Sequence, residues 1–178
     1  MTRNRFHGRG LTLIELLTVI AIVTLLFGLL LPVLSRARGE ARAAMCLSHL
    51  RQLGAGIHMY AADHDGRLPS SQFDGIWDVL MEPYAPDPEA YWCPSDLDGA
   101  TTNAAVSYVW RDGLAVIDPA ASLSGLNLHV LTGVDVIALF DMIPGWHGNA
   151  DVQAATLDGS SRRFRYDEFV NNLARPVQ

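Results

Sequence analysis

The chain of 178 residues has no lysine, and all 13 of its basic side chains are arginine. Nothing in the sequence accounts for that choice. Cysteine is nearly absent as well: Cys46 and Cys93 stand alone, with no CxxC pair. That is too few for a zinc site built from cysteine alone. Positive charge is scarce in most of the C-terminal part. Between Ala62 and Ser160 there are 15 acidic residues against Arg67 and Arg111. Such a surface repels phosphate backbones, which argues against nucleic acid as its partner. No internal repeat or low-complexity tract occurs. Charge of either sign is missing from Leu16 to Leu34.

Those 19 uncharged positions make, at about 1.5 Å per residue, a helix of roughly 28 Å, close to the thickness of a bilayer's hydrocarbon core. A short, basic, polar leader (MTRNRFHGRG) runs straight into it. The length suffices for one such span plus one modest soluble domain, and 49% hydrophobic residues is ordinary for that combination. An ordinary secretory signal fits poorly. It needs small residues in an A-x-A-like cleavage site after the apolar core, where this chain reads Pro32-Val33-Leu34-Ser35-Arg36. Glu15 is the anomaly. A carboxylate in a span costs up to about 2.5–3.5 kcal/mol at the helix centre and less near the end, so Glu15 calls for a partner other than lipid. Charge does not orient the span. Arg3, Arg5 and Arg9 precede it, and Arg36, Arg38 and Arg42 follow, partly offset by Glu40.

Gly10-Leu11-Thr12-Leu13-Ile14-Glu15 resembles the cleavage and methylation motif of type IV prepilins and type II secretion pseudopilins. In that family a membrane-embedded prepilin peptidase cuts after the glycine and methylates the new N-terminus. The family's glutamate is the fifth mature residue, and Glu15 is fifth counting from Leu11. The resemblance implies cleavage between Gly10 and Leu11, N-methylation of Leu11 and an assembly role for Glu15, whose carboxylate would meet the terminal amine of a neighbouring subunit. Leu11 departs from the usual phenylalanine but is also large and apolar, so processing is expected to survive. Pro32 falls where these proteins often carry a helix-kinking proline. The resemblance also implies orientation: a single pass through the inner membrane, leader cytoplasmic, globular part periplasmic, the whole assembled into a filament.

Pro32 removes one backbone hydrogen bond and crowds the preceding turn, so a kink is expected there rather than an end, because helical patterning resumes beyond it. Ala43, Cys46, Leu50, Leu53, Ile57 and Tyr60 recur at spacings of three and four, one face of a helix, with Arg42, Ser48, His49, Arg51 and Gln52 on the other. The pattern predicts one helix from about Leu11 to about Ala62, stopped by Asp65-Gly66. Gly54 and Gly56 weaken it by up to about 1 kcal/mol each and permit either close backbone approach or flexibility. Beyond it, residues 76–80 read as a short helix and 84–98 as a loop. Val106, Tyr108 and Trp110 read as a strand, and 134–140 as a central strand. Residues 151–157 and 162–166 read as a hairpin about Asp158-Gly159. Asp167 is expected to cap a terminal helix over 168–173. The expected fold is α+β, a long N-terminal helix on a small, mostly antiparallel sheet, an outline that pilins and pseudopilins resemble. The expected divisions are a cleaved leader (1–10), a transmembrane and filament-core helix (11–34), its amphipathic continuation (35–66) and a globular domain (67–178).

Cys46 lies on the apolar stripe and Cys93 in a loop. Placed outside the inner membrane, in an oxidising compartment, they are expected to form a disulfide, two buried thiols being the alternative. Some prepilin-like proteins with large acidic domains are similar, with a helix cysteine and a later Cys-Pro-Ser-Asp, here Cys93 to Asp96. Trp146-His147-Gly148-Asn149 followed by Asp158-Gly159 resembles a His…Asp-Gly signature of such proteins. A structural role is expected for His147, Asp158 and Gly159, with His147 hydrogen-bonded to the hairpin. A metal site of Asp141, His147 and Asp158 is the sharper, less favoured alternative. Some pseudopilins bind calcium in a loop, and Asp63-His64-Asp65-Gly66 and Asp96-Leu97-Asp98-Gly99 supply carboxylates, but both lack the rest of an EF-hand loop. No cofactor is therefore expected, calcium being the one candidate considered. No base is placed beside Cys93, so no catalytic residue is assigned. Trp77, Trp92, Trp110 and Trp146 are expected to pack. The resemblance implies a filament subunit rather than an enzyme. Its expected partners are copies of itself, other pilin-like subunits, the prepilin peptidase and inner-membrane assembly machinery, with no nucleic acid among them. The alternatives are a receptor or adhesin with a ligand patch between Asp74 and Gly125, and a membrane-anchored protein of another activity.

Overall fold

The computed structural model describes residues 12–70, 76–77, 80, 83–96, 106–111, 123, 125–131, 135–147 and 151–175. In chain order they form α1 (Leu13–Asp63), a 3-10 turn (Pro88–Tyr91), β1 (Tyr108–Trp110), α2 (Leu128–Leu131), β2 (Ile137–Asp141), β3 (Val152–Thr156), β4 (Ser161–Phe164) and α3 (Tyr166–Leu173). Ile76, Trp77 and Leu80 are helical too. The chain divides into two compact units, Met1–Arg38 and Gly39–Gln178, and α1 contributes to both.

In the first unit α1 is apolar all round, with a mean hydropathy of 2.7 over 18 residues. Among the described residues it is the one helix long and apolar enough to cross a membrane. Pro32 lies inside α1 and does not end it. The hydroxyls in this stretch are satisfied by their own helix: Thr18 donates to the Glu15 carbonyl at 3.0 Å, Thr24 to that of Ile20 at 2.9 Å and Ser35 to that of Pro32 at 2.9 Å. In lipid, where water offers no alternative, that economy is required.

The second unit is built on the stripe read from the sequence. Ala43, Cys46, Leu50, Leu53 and Ile57 are buried, and Tyr60 packs at the margin of the same core. The four strands are antiparallel in the order β1-β2-β3-β4. Tyr108, Trp110, Leu139 and Ala155 face the core that holds the α1 stripe. Val109, Phe140, Val152, Ala154 and Phe164 form a second core with Phe169 of α3. The sheet is thus covered on both faces, which is why β1, β2 and β3 are buried at every residue instead of alternating. Gly56 serves close approach rather than flexibility: a Cβ there would lie 3.3 Å from the Tyr84 carbonyl oxygen.

α1 ends as its sequence indicates. Asp65 and Gly66 take positive φ (55° and 77°), and the Gly66 amide closes the last turn on the Ala61 carbonyl at 2.7 Å. Two expectations need correction. The 84–98 stretch is not loop throughout, because Asp87 caps the 3-10 turn by accepting from the Glu89 amide at 3.0 Å. Asp167 does not cap the terminal helix. α3 starts two residues earlier, with Arg165 at the cap position, and Asp167 sits in the first turn paired to the Arg165 guanidinium at 3.1 Å. A carboxylate is favourable there through the helix dipole, whichever residue occupies the cap.

Candidate functional site

Gly10 and Leu11 lie outside the described residues. Glu15 is described, and it has a partner within its own chain. Its Oε2 accepts from the Thr12 amide at 2.8 Å and from the Thr12 hydroxyl at 2.7 Å, while the Glu15 amide donates to Thr12 Oγ1 at 3.3 Å. This reciprocal arrangement is a capping box, and its signature, Thr-x-x-Glu, was legible at residues 12–15. The costly carboxylate thus sits at the positive end of the helix dipole with two donors of its own.

A second cluster forms in the globular unit. α1 supplies Cys46, and the segment after the 3-10 turn supplies Cys93; the two sulfurs are joined in a disulfide across a separation of 47 residues. His147 lies in the turn after β2. Its Nε2 is 3.5 Å from Cys93 Sγ and 3.3 Å from Asp141 Oδ2, and its Nδ1 is 3.1 Å from Ser95 Oγ. Asp141, the last residue of β2, is 1% exposed, and its Oδ2 also accepts from the Gln153 amide at 2.9 Å. Burial pushes the Asp141 carboxyl above the usual carboxylate range, against the pull of His147, the Gln153 amide and Arg163. The backbone around the cluster is tied down: Ser107 binds the Tyr91 carbonyl at 2.9 Å through its amide and Asp96 at 2.9 Å through its hydroxyl.

The two halves of the His…Asp-Gly signature go to different places. His147 is not hydrogen-bonded to the hairpin turn as expected; it meets the 93–95 segment and Asp141. The reason is topological, since the turn at Gly145 (φ 94°) reverses the chain beside the end of β2. Asp158 stays in its own turn, accepting from the Thr156 hydroxyl and from the Ser160 amide at 2.8 Å, and Gly159 takes φ 87°. The Thr156 hydroxyl first, then the Ser160 amide, hold the Asp158 carboxyl below its usual range. Of the alternative metal trio, Asp141 and His147 come together and Asp158 does not. Asp63 accepts from the Tyr84 hydroxyl at 3.2 Å, and the Asp65 carbonyl accepts from the Asn127 amide side chain at 3.3 Å, so both help fix the end of α1. Asp98 and Gly99 lie outside the described residues, as does most of the stretch from Asp74 to Gly125. Trp77, Trp110 and Trp146 pack on the main core, whereas Trp92 is exposed.

Arg111 is the residue that sequence reasoning passed over. It is fully buried, and its guanidinium donates to the carbonyls of Leu173 at 3.1 Å and Arg175 at 3.0 Å, capping the C-terminal end of α3. Burial pulls its pKa down to about 10, which leaves it charged at neutral pH. Asn172 completes the lock by accepting from the Ile137 amide at 3.1 Å. The available signal was an isolated arginine directly after an aromatic strand in an acidic stretch.

Against known proteins, the chain is similar to the type II secretion system core protein G of Klebsiella michiganensis, 32% identical over 93 residues. The likeness is to a pseudopilin. It covers 52% of this chain and 63% of that relative, so the chain spans under two thirds of the pseudopilin's length. No family model matches the chain, and no solved structure matches it significantly. A pseudopilin-like reading agrees with the apolar N-terminal helix and with the α+β fold of one long helix on a small antiparallel sheet.

Proposed function

We propose that this chain is a pilin-like structural subunit of a type II secretion pseudopilus or a related filament, and not an enzyme. One observation carries the reading: the prepilin-like motif opens a helix whose first half exposes leucine, isoleucine, valine and phenylalanine on every side. Such a surface needs lipid before assembly and copies of itself afterwards, and heterologous contacts that do not close generate helical filaments. In this reading the prepilin peptidase cuts between Gly10 and Leu11 and methylates Leu11. The leader faces the cytoplasm and the globular unit the periplasm. Glu15 exchanges its Thr12 donors for the terminal amine of a neighbouring subunit, a charge-assisted partner that a buried carboxylate favours.

The test is the intact mass and N-terminal sequence of the protein from host membranes. A chain beginning at N-methylated Leu11 supports the reading; a chain beginning at Met1, in a host with active prepilin peptidase, overturns it. A Glu15→Leu variant is expected to be cleaved normally and to fail to enter filaments, so normal incorporation of that variant would remove the assembly role. Nothing among the described residues favours the receptor or adhesin alternative.

A further inference from the structure

We propose that Cys46, Cys93, His147 and Asp141 form a zinc site when the disulfide is reduced. Cys46 Sγ, Cys93 Sγ and a ring nitrogen of His147 lie within 4.8 Å of one another. Tetrahedral zinc, with Zn–S of about 2.3 Å and Zn–N or Zn–O of about 2.0–2.2 Å, places neighbouring ligand atoms roughly 3.3–3.8 Å apart. The observed separations are 3.5 Å from His147 Nε2 to Cys93 Sγ and 3.3 Å from His147 Nε2 to Asp141 Oδ2. Two features prepare these ligands. Ser95 Oγ at 3.1 Å accepts from Nδ1–H in the tautomer that leaves the Nε2 lone pair free for a metal, the usual outer-shell arrangement for a ligating histidine. Asp141 Oδ1 is buried with no hydrogen-bond partner among the described residues, and a buried carboxylate oxygen is relieved by a cation. The site draws on α1, the segment after the 3-10 turn, the end of β2 and the turn that follows, so the fold gathers the two sulfurs and the His147 ring, with Asp141 beside His147, and reduction frees the sulfurs to part around a metal.

The oxidised and metal-bound forms exclude each other, because zinc binds thiolates. A dithiol reductant connects them. One of its thiolates attacks a protein sulfur and breaks the S–S bond, and its second thiol resolves the mixed disulfide. Two electrons and two protons end on Cys46 and Cys93, and the reductant leaves as its own disulfide. Zinc then displaces the two thiol protons. Either form links α1 to the 93–95 segment.

The test uses the full chain in detergent micelles, stripped of metal, reduced with a phosphine without oxygen and titrated with Zn²⁺ against a chromophoric chelator. The expected result is one zinc per reduced chain and none per oxidised chain. His147→Gln and Asp141→Asn should each weaken binding at least about tenfold, and Ser95→Ala about tenfold. Cobalt in place of zinc should give thiolate charge-transfer bands and the intense visible bands of a tetrahedral ion. Reduced chain that binds zinc no more tightly than the Cys46→Ser, Cys93→Ser double variant overturns the proposal. Wild-type affinity in both His147→Gln and Asp141→Asn also overturns it, since two thiols alone would then be the site. If a variant fails to fold by circular dichroism, the cobalt spectrum of the wild-type chain decides: octahedral bands without thiolate charge transfer overturn the site.

Discussion

Leu25 and Leu53 belong to the same helix and the same residue type, yet Leu25 is 66% exposed and Leu53 is fully buried. What separates them is the company on the helix. Around Leu25 every face is apolar, so no direction distinguishes inside from outside. Around Leu53 the apolar positions keep to one stripe, with Arg51 and Gln52 turned to solvent. A stripe can be answered by one partner surface, and the sheet provides it. A helix that is apolar all round needs surroundings that are apolar all round, which a small sheet cannot supply. One continuous element thus has two environments, the second set by its own chain and the first, in the proposed function, by lipid or by other subunits.

The sharpest way to break this comparison is to truncate both leucines. Leu53→Ala should cost about 2–5 kcal/mol, as cavities in packed cores do, read as a lowered thermal midpoint of the detergent-solubilised chain. Leu25→Ala should stay within about 0.5 kcal/mol by the same measurement; a comparable loss there would mean that the first half packs against its own chain. Arg111→Met sharpens the comparison from the far face of the sheet. Removing the guanidinium leaves the Leu173 and Arg175 carbonyls short of a donor, at a cost of about 1–3 kcal/mol. Hydrogen exchange should rise in α3 and leave residues 16–34 of α1 unchanged. The smallest effect concerns pH. Asp158 has a lowered folded-state pKa, so its contribution is present above the unfolded carboxylate value and is lost as pH falls through the folded value. Ser161, beyond that turn, donates to the Leu47 carbonyl at 3.1 Å, which ties the hairpin to α1. Asp158→Asn should therefore flatten the acid limb of the globular unit's unfolding curve. An unchanged acid limb would show that the turn contributes nothing to holding the cover in place.

Local chemistry was legible where one segment sufficed. The span, the stripe from Ala43 to Tyr60, the stop at Asp65-Gly66 and the hairpin about Asp158-Gly159 each rest on neighbours within a few residues. The Thr12-x-x-Glu15 box was equally local. The contacts of His147 were not legible, because its partners Cys93 and Ser95 lie 54 and 52 residues away and only the topology of the sheet brings them close. Arg111 was hidden for the same reason: its carbonyl partners at Leu173 and Arg175 are 62 and 64 residues distant. The burial of β1 to β3 on both faces likewise depends on α3, whose packing no strand pattern encodes.

The sheet that covers the stripe is made well after the stripe itself. α1 is complete at Asp63, but β1 starts at Tyr108 and β4 ends at Phe164. At about 5–20 residues per second, the roughly one hundred residues between Asp63 and Phe164 take on the order of 5–20 s to synthesise. Through most of that interval Leu50, Leu53 and Ile57 lack the strand residues that complete their cover, and for its earlier part Cys46 has no Cys93 to pair with. The stripe is therefore an adhesive surface with a lifetime set by the ribosome. Slower translation between Asp63 and Phe164 lengthens that lifetime, and with it the demand on whatever holds the half-made chain apart from its neighbours.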